Sequence, residues 1–207
     1  MSDSLATCFP VLAERLQKLP IADLPTPVST VTSETPAGRR SIWVKHDNVS
    51  NELYGGNKVR KLEYLLQRAR DHGARRIATF GAVGSNHALA TAMFSSRAGL
   101  DCTCFLGHQS RTPYVSETLN MHRRIGTEIV PLGSGSNRLA TLRKYLHGRR
   151  CWVIPLGGSS WLGAVGFVNA GLELAAQVSA GELPAPERIY IANGTMGSAA
   201  GLAVGLA

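Results

Sequence analysis

The chain has 207 residues, enough for one sizeable domain or two small ones, and its 44% hydrophobic and 17% charged content is that of a folded globular protein, not a disordered one. The net charge of +8 raises nucleic acid as a partner, but no basic strand interleaved with aromatics is present, so the expectation is no nucleic acid and a positive surface that attracts anionic cofactors and substrates. No apolar stretch suffices to cross a bilayer, Met1 to Leu19 shows no basic start followed by an apolar run, and Cys8, Cys102, Cys104 and Cys151 show neither a Cys-x-x-Cys pair nor zinc spacing; a reducing cytoplasm, with no membrane and no metal, is expected.

Residues 11–19 read as a short amphipathic helix ended by Pro20, and the passage holding Pro20, Pro25, Pro27 and Pro36 reads as surface loop. Residues 42–45 are the first expected strand, after which the chain returns through His46, Asp47 and Asn48 to Gly56. From there strands are expected at 76–80, 101–106, 128–132, 152–156 and 188–192. Helices fall between them, near 58–72, 87–98, 113–125, 137–147 and 162–180. Gly73, Gly99, Gly126 and Gly148 each sit just past a helix, where a left-handed residue closes it. The basic pairs Arg75-Arg76, Arg123-Arg124 and Arg149-Arg150 lie at or near helix ends and strand starts, where cations are usually solvated. Cys102 and Cys104 share one face of a strand and read as small core hydrophobes. This alternation calls for an α/β fold with mostly parallel open sheets and helices on both faces, its ligands gathering beyond the carboxyl ends of the strands.

Three stretches carry chemistry. In residues 55–64, Gly55 and Gly56 let the backbone turn and approach a ligand, and Asn57 fits an N-cap whose side-chain oxygen accepts from the first-turn amides. Val59, Leu62, Leu65, Leu66 and Ala69 follow at helical spacing, which puts Lys58 at the first helical position. The positive end of the helix dipole disfavours its ammonium form and favours an amine nucleophile; a solvated lysine just past a loop is the plainer reading of the position alone. In residues 79–87 a strand turns on glycines into a helix that Ser85 or Asn86 caps, and such a helix start also holds anions. In residues 191–201 a strand leads through a glycine-rich loop to a small-residue helix, which aims several amides, with Thr195 and Ser198 as added donors, at a phosphate. The loop has neither the Gly-x-Gly-x-x-Gly nor the Walker pattern, which disfavours a nicotinamide-binding fold. A nucleotide-dependent enzyme built on this loop and a non-catalytic phosphate-binding α/β protein stand as alternatives.

The run Gly55-Gly56-Asn57-Lys58-Val59-Arg60-Lys61-Leu62-Glu63 resembles the cofactor-lysine segment of the D-cysteine desulfhydrase and 1-aminocyclopropane-1-carboxylate deaminase family, pyridoxal-phosphate enzymes of the tryptophan synthase β-subunit fold, fold type II. The resemblance implies pyridoxal 5'-phosphate as cofactor and Lys58 as its Schiff-base lysine. It implies that Asn86 donates to the cofactor's phenolic oxygen, that Ser85 contacts substrate and shares in proton transfer, and that His87 contributes to substrate binding mainly by its backbone amide. It assigns the phosphate to Gly194, Thr195, Met196, Gly197 and Ser198, Met196 through its amide only. Residues 155–168 resemble the family's return from the smaller domain to the larger, with Trp161 open between packing and substrate contact. The implied domains are a large cofactor domain of residues 1–57 and 158–207, incomplete here, and a small α/β domain of residues 58–157. The implied activity is a lyase or deaminase acting on a small amino acid. It is either desulfhydrase-like β-elimination giving a 2-oxo acid and ammonia, or the opening of a cyclopropane. Ala199 to Ala207 are apolar or glycine, and a helix hydrophobic all round needs surroundings that the sequence does not supply. Family members continue well past this point, so the chain reads as truncated and the full-length protein as a homodimer.

Overall fold

The computed structural model describes residues 4–36, 38–133 and 150–207, together with Ala140, Leu142, Arg143, Leu146 and His147. Helices α1 (Ser4–Cys8) and α2 (Pro10–Arg15) open the chain. The helix expected at 11–19 stops at Arg15, because Leu16 and Leu19 leave it to pack on the core and the Leu19 amide donates to the Glu63 carbonyl at 3.0 Å. An antiparallel hairpin follows, β1 (Val28–Thr35) and β2 (Gly38–Lys45). β2 contains the expected strand at 42–45, whereas β1 lies where loop was expected. Its Val-Ser-Thr-Val-Thr run is rich in β-branched residues, and Pro27 and Pro36 bound that run without interrupting it.

The alternating part comprises α3 (Lys58–Asp71), β3 (Arg76–Ala82), α4 (Asn86–Arg97), β4 (Asp101–Gly107), α5 (Pro113–Ile125), β5 (Glu128–Leu132) and β6 (Cys151–Val153). Helices α6 (Trp161–Ser179) and α7 (Gly197–Leu206) complete it. The four strands form one parallel sheet in the order β5-β4-β3-β6. Successive side chains point to opposite faces, so Ile77, Cys102 and Cys104 join Leu62, Leu66 and Phe94 on one face. Ala78, Phe105 and Val130 meet Leu142 and Leu146 on the other. Gly73, Gly99 and Gly126 take the left-handed conformation at their helix ends. Gly148 and most of the helix expected at 137–147 lie outside the described residues.

Two strand expectations need correction. β6 ends at Val153, because the Ile154 amide still reaches the Ala78 carbonyl at 2.8 Å but Pro155 turns the chain away. Residues 188–192 are not a strand. Their apolar residues have the propensity, yet no described strand offers them a ladder, and Tyr190 stands 88% exposed. Among the described residues no helix is long and apolar enough to cross a membrane, and no cluster of three or more His, Cys, Asp or Glu could hold a metal.

What ties the hairpin to the helices is Arg60, 1% exposed. Its Nε donates to both carboxylate oxygens of Asp47 at 3.1 Å, and its terminal nitrogens donate to both oxygens of Glu173 at 3.0 Å and to Thr26 Oγ1 at 3.0 Å. Lys45 joins the group through Glu173 at 2.5 Å and Gln177 at 2.6 Å. Burial alone would push the Glu173 carboxyl up, but the hydrogen bonds and charges of Arg60 and Lys45 outweigh burial and hold it below the usual carboxylate range. Helix α6 lies so close to α3 that a Cβ at Gly166 would stand 2.1 Å from the Arg60 carbonyl oxygen.

Arg60→Met strands two carboxylates against a low-dielectric interior and should cost about 3–5 kcal/mol, read as a lower denaturant midpoint. The depressed Glu173 contributes stability that is complete above the ordinary glutamate range and is lost as pH falls through its folded value. Acid unfolding curves of Glu173→Gln should therefore be flatter below about pH 4 than those of the unaltered chain.

Candidate active site

Helix α3 begins at Lys58 as expected, but Asn57 is not the side-chain cap the sequence suggests. Its backbone is helical (φ −59°, ψ −17°) and its side chain makes no capping bond. The turn closes through the backbone: Gly56 sits at φ 129°, its amide donates to the Asp47 carbonyl at 2.8 Å, and its carbonyl accepts from Val59 at 3.2 Å. Gly55 passes so near that a Cβ there would lie 1.7 Å from the Asn48 carbonyl oxygen. Two glycines and Asp47 thus deliver Lys58 to its place, and Asp47 is the residue that also binds Arg60 two residues further on.

Lys58 opens onto a cavity of about 200 Å³ shared with Ser85, His87, Gly157, Thr195, Met196 and Ser198. Burial holds its amine below the ordinary lysine range. The structure therefore brings the start of α3, the start of α4 and the loop ahead of α7 to one place. Ser85 caps α4, its hydroxyl oxygen accepting from the Ala88 amide at 3.2 Å. Asn86 follows outside the lining, its carboxamide oxygen accepting from the phenols of Tyr54, at 2.7 Å, and of Tyr114.

His87 is only 5% exposed. Its Nε2 lies 2.9 Å from Thr79 Oγ1, and the Thr79 hydroxyl donates its proton to the Ile154 carbonyl at 3.1 Å. With that hydroxyl proton committed to Ile154, Nε2 is the ring nitrogen placed to donate to Thr79. Burial first, then the charges of Lys58 and Lys61, push this ring down to about 4, so it stays neutral. His87 is one of the residues that line the cavity.

In the second loop Met196 adopts φ 62°, a conformation uncommon outside glycine, and Gly197 and Ser198 open α7 behind it. The Gly197 amide donates to the Thr195 carbonyl at 2.8 Å, and the hydroxyls of Thr195 and Ser159 are 2.5 Å apart. Ala192, Asn193 and Gly194 complete the loop's share of the lining, from which Gly197 is absent.

Two residues went unnoticed in the sequence, Lys61 and Ser159. Lys61 lies one turn along α3 from Lys58 and is 1% exposed, with a 3.4 Å hydrogen bond to the Gly157 carbonyl. Burial, then the charge of Lys58, pushes it down to about 8. A Cβ on Gly197 would lie 3.1 Å from Lys61 Nζ and 2.8 Å from Ser159 Oγ, and one on Gly157 would lie 2.5 Å from Thr195 Oγ1. Glycines thus leave a cradle around one ammonium, two hydroxyls and the start of α7. A buried ammonium with no facing carboxylate is costly unless an anion meets it, and this donor set suits a phosphate. The signal was legible in principle: Lys61 falls three residues after Lys58, on the turn that carries Leu62 and Leu65 into the core.

Trp161 is 67% exposed with the Arg68 guanidinium 6.0 Å from its ring, so it packs at the surface and does not line the cavity. Larger hollows exist. One of about 400 Å³ lies at the amino ends of the strands around Arg76, whose guanidinium is already paired with Asp101 and Glu128. Another of about 340 Å³, between Phe80, Phe105 and Leu132, is apolar. Neither has a free amine beside an anion cradle, and chemistry rather than size selects the site beside Lys58.

Comparison with known proteins bears on the fold and family. The pyridoxal-phosphate dependent enzyme family profile matches residues 21–207. D-cysteine desulfhydrase of Yersinia pestis (strain Pestoides F) is 36% identical over 207 residues, covering 94% of this chain and 62% of its own length. That of Salmonella choleraesuis (strain SC-B67) is 36% identical over 201 residues, covering 93% and 61%. The crystal structure of an ACC deaminase homologue superposes with a TM-score of 0.76 at 27% identity over 100% of this chain and 62% of that one. A hydrogen sulfide-producing enzyme from Fusobacterium nucleatum shares the fold, with a TM-score of 0.60 at 16% identity over 84% of this chain and 50% of its own. The chain thus spans about 62% of the length of the curated relatives it matches, and it belongs to the pyridoxal-phosphate dependent enzyme family.

Proposed function

We propose that Lys58 carries the cofactor, that the cradle of Lys61, Ser159 and residues 194–198 holds its phosphate, and that the site acts on a small amino acid by desulfhydrase-like β-elimination, giving a 2-oxo acid and ammonia. The observation that carries this reading is the cavity shared by the half-buried amine of Lys58 and the loop residues Gly194, Thr195, Met196 and Ser198, with Lys61 and Ser159 beside Gly197 of the same loop. Bound there, pyridoxal phosphate supplies an aldehyde for the amine and a ring that accepts electrons. The chain's own residues do the rest. Lys58, whose ammonium form burial disfavours, is the amine that meets the aldehyde and afterwards moves the proton at the substrate's Cα. Ser85, across the same cavity, shares that transfer through its hydroxyl. The uncapped amides of Asn86 and His87 at the start of α4 orient the substrate carboxylate. His87, neutral, adds no positive charge to a site that already holds two lysines. The likeness to an ACC deaminase homologue favours cyclopropane opening as the second reading, served by the same residues. The proposed small domain of residues 58–157 fits a parallel sheet drawn from residues 76–153.

Borohydride reduction of the chain incubated with pyridoxal phosphate, followed by peptide mass mapping, should place the cofactor on Lys58. Label on another lysine would overturn the assignment, and D-cysteine against 1-aminocyclopropane-1-carboxylate as substrate separates the two readings. The phosphate grip is tested with pyridoxamine 5'-phosphate, which lacks the aldehyde. Lys61→Met should weaken its binding roughly 10–100-fold, the worth of one charge-assisted hydrogen bond of ~1.5–3 kcal/mol. Because the ammonium is the binding form and free Lys61 titrates at about 8, affinity for this ligand should fall as pH rises above that value in the unaltered chain and lose that dependence in Lys61→Met.

A further inference from the structure

We propose that Tyr54 and Tyr114 are positioning residues that fix the direction of the Asn86 carboxamide, so that its Nδ2 is held as a donor for the ring oxygen of the cofactor. The inference rests on the reading of Lys58 as the cofactor lysine. Asn86 opens α4 between Ser85 and His87, both of which line the cavity. Its Oδ1 accepts from the Tyr54 phenol at 2.7 Å and from the Tyr114 phenol as well. Two O–H donors occupy both lone pairs of one carboxamide oxygen; turning the amide over would exchange them for N–H···O bonds to the phenols and present Oδ1 to the site, so it is the phenols acting as donors that leaves Nδ2 facing it. Nδ2 is then the polar atom left to the site, and it makes no hydrogen bond among the described residues.

Each phenol comes from an anchored segment. Tyr54 stands just ahead of Gly55, where the Asn51 side-chain oxygen accepts from the amides of Leu53 and Tyr54 at 2.8 and 3.3 Å. The Asn51 Nδ2 donates to the Ile21 carbonyl at 2.7 Å. Tyr114 is the second residue of α5, whose cap Thr112 accepts from the Val115 amide at 3.2 Å. The three groups therefore join the lysine loop, the start of α4 and the start of α5 through a single oxygen. Burial first, then the neighbouring Tyr114, pushes the Tyr54 phenol up to about 12, so it keeps its proton and stays a donor throughout the range in which the enzyme would work. A carboxamide held by two donors delivers its own N–H in a fixed direction, and an N–H so held lowers the pH at which an acceptor phenol gives up its proton.

The test reads the bound cofactor's absorbance against pH, together with its dissociation constant, in the chain and in Tyr54→Phe, Tyr114→Phe and Asn86→Ala. Each phenylalanine variant should move the absorbance midpoint upward by about half a unit to one unit and weaken cofactor binding roughly three- to tenfold, with thermal midpoints close to that of the parent. Added to Asn86→Ala, neither tyrosine change should move the midpoint further, because both act through that one side chain. Midpoints that stay at the parent value in the phenylalanine variants, or that still shift in the Asn86→Ala background, would overturn the inference while leaving Lys58 labelling intact. Absence of label from Lys58 in the parent would overturn both readings. A lowered thermal midpoint with an unmoved absorbance would mean that the tyrosines only brace the fold, which also overturns it.

Discussion

The guanidinium of Arg60 lies between the carboxylates of Asp47 and Glu173, two residues along α3 from the amine of Lys58. Asp47 belongs to the turn that leads into Gly55 and Gly56, and its backbone carbonyl accepts from the Gly56 amide. Glu173 belongs to α6, and Thr26, which the same guanidinium reaches, belongs to the loop ahead of the hairpin. One side chain therefore sets where the lysine loop, the hairpin and α6 stand relative to each other. Replaced by an apolar residue of similar volume, such a group need not destabilise a fold if its partners change with it. What it adds is direction, since a planar fork with five donors has one arrangement that satisfies both carboxylates.

Direction at α3 would be of no use unless the glycine-rich loop ahead of α7 met it, and that depends on close packing of backbone on backbone. Gly166 lets α6 approach the Arg60 carbonyl, and Gly201 lets α7 approach Ala164, where a Cβ would be 2.3 Å from the carbonyl oxygen. The loop of residues 193–198 hangs between α6 and α7, so those two approaches decide its height above Lys58 and Lys61. Gly163 works similarly against Gly158 at the other margin of the cavity.

Much of this was legible before any coordinates. The βα alternation gave the parallel sheet because apolar strand segments alternate with α3, α4 and α5, each closed by a left-handed glycine. The start of α3 at Lys58 and the start of α7 after residues 193–196 were legible because each is a local pattern, glycines followed by a helical start. What escaped depends on distant partners. Lys61 and Arg60 look like surface residues in a one-dimensional pattern, and only the approach of α6 and α7 buries them. β1 escaped because prolines at both ends outweighed the β-branched run between them. Residues 188–192 were misread for the opposite reason: propensity was present, and a partner strand was not. Asn57 looked like a cap because Asn commonly is one; the turn at Gly56 made the side-chain bond unnecessary.

The electrostatics around Lys58 follow from those distant contacts. Lys58 and Lys61 are three residues apart on one helix, and burial followed by the charge of Lys58 disfavours the ammonium form of Lys61. No carboxylate is paired with either among the described residues, and a further positive charge on His87 is excluded by burial together with the field of the two lysines. On the proposed reading, a dianionic phosphate beside Lys61, whose neighbours are hydroxyls and a helix start, would stabilise the ammonium there. Lys58 is held below the ordinary lysine range by burial instead, so the two lysines answer to different causes.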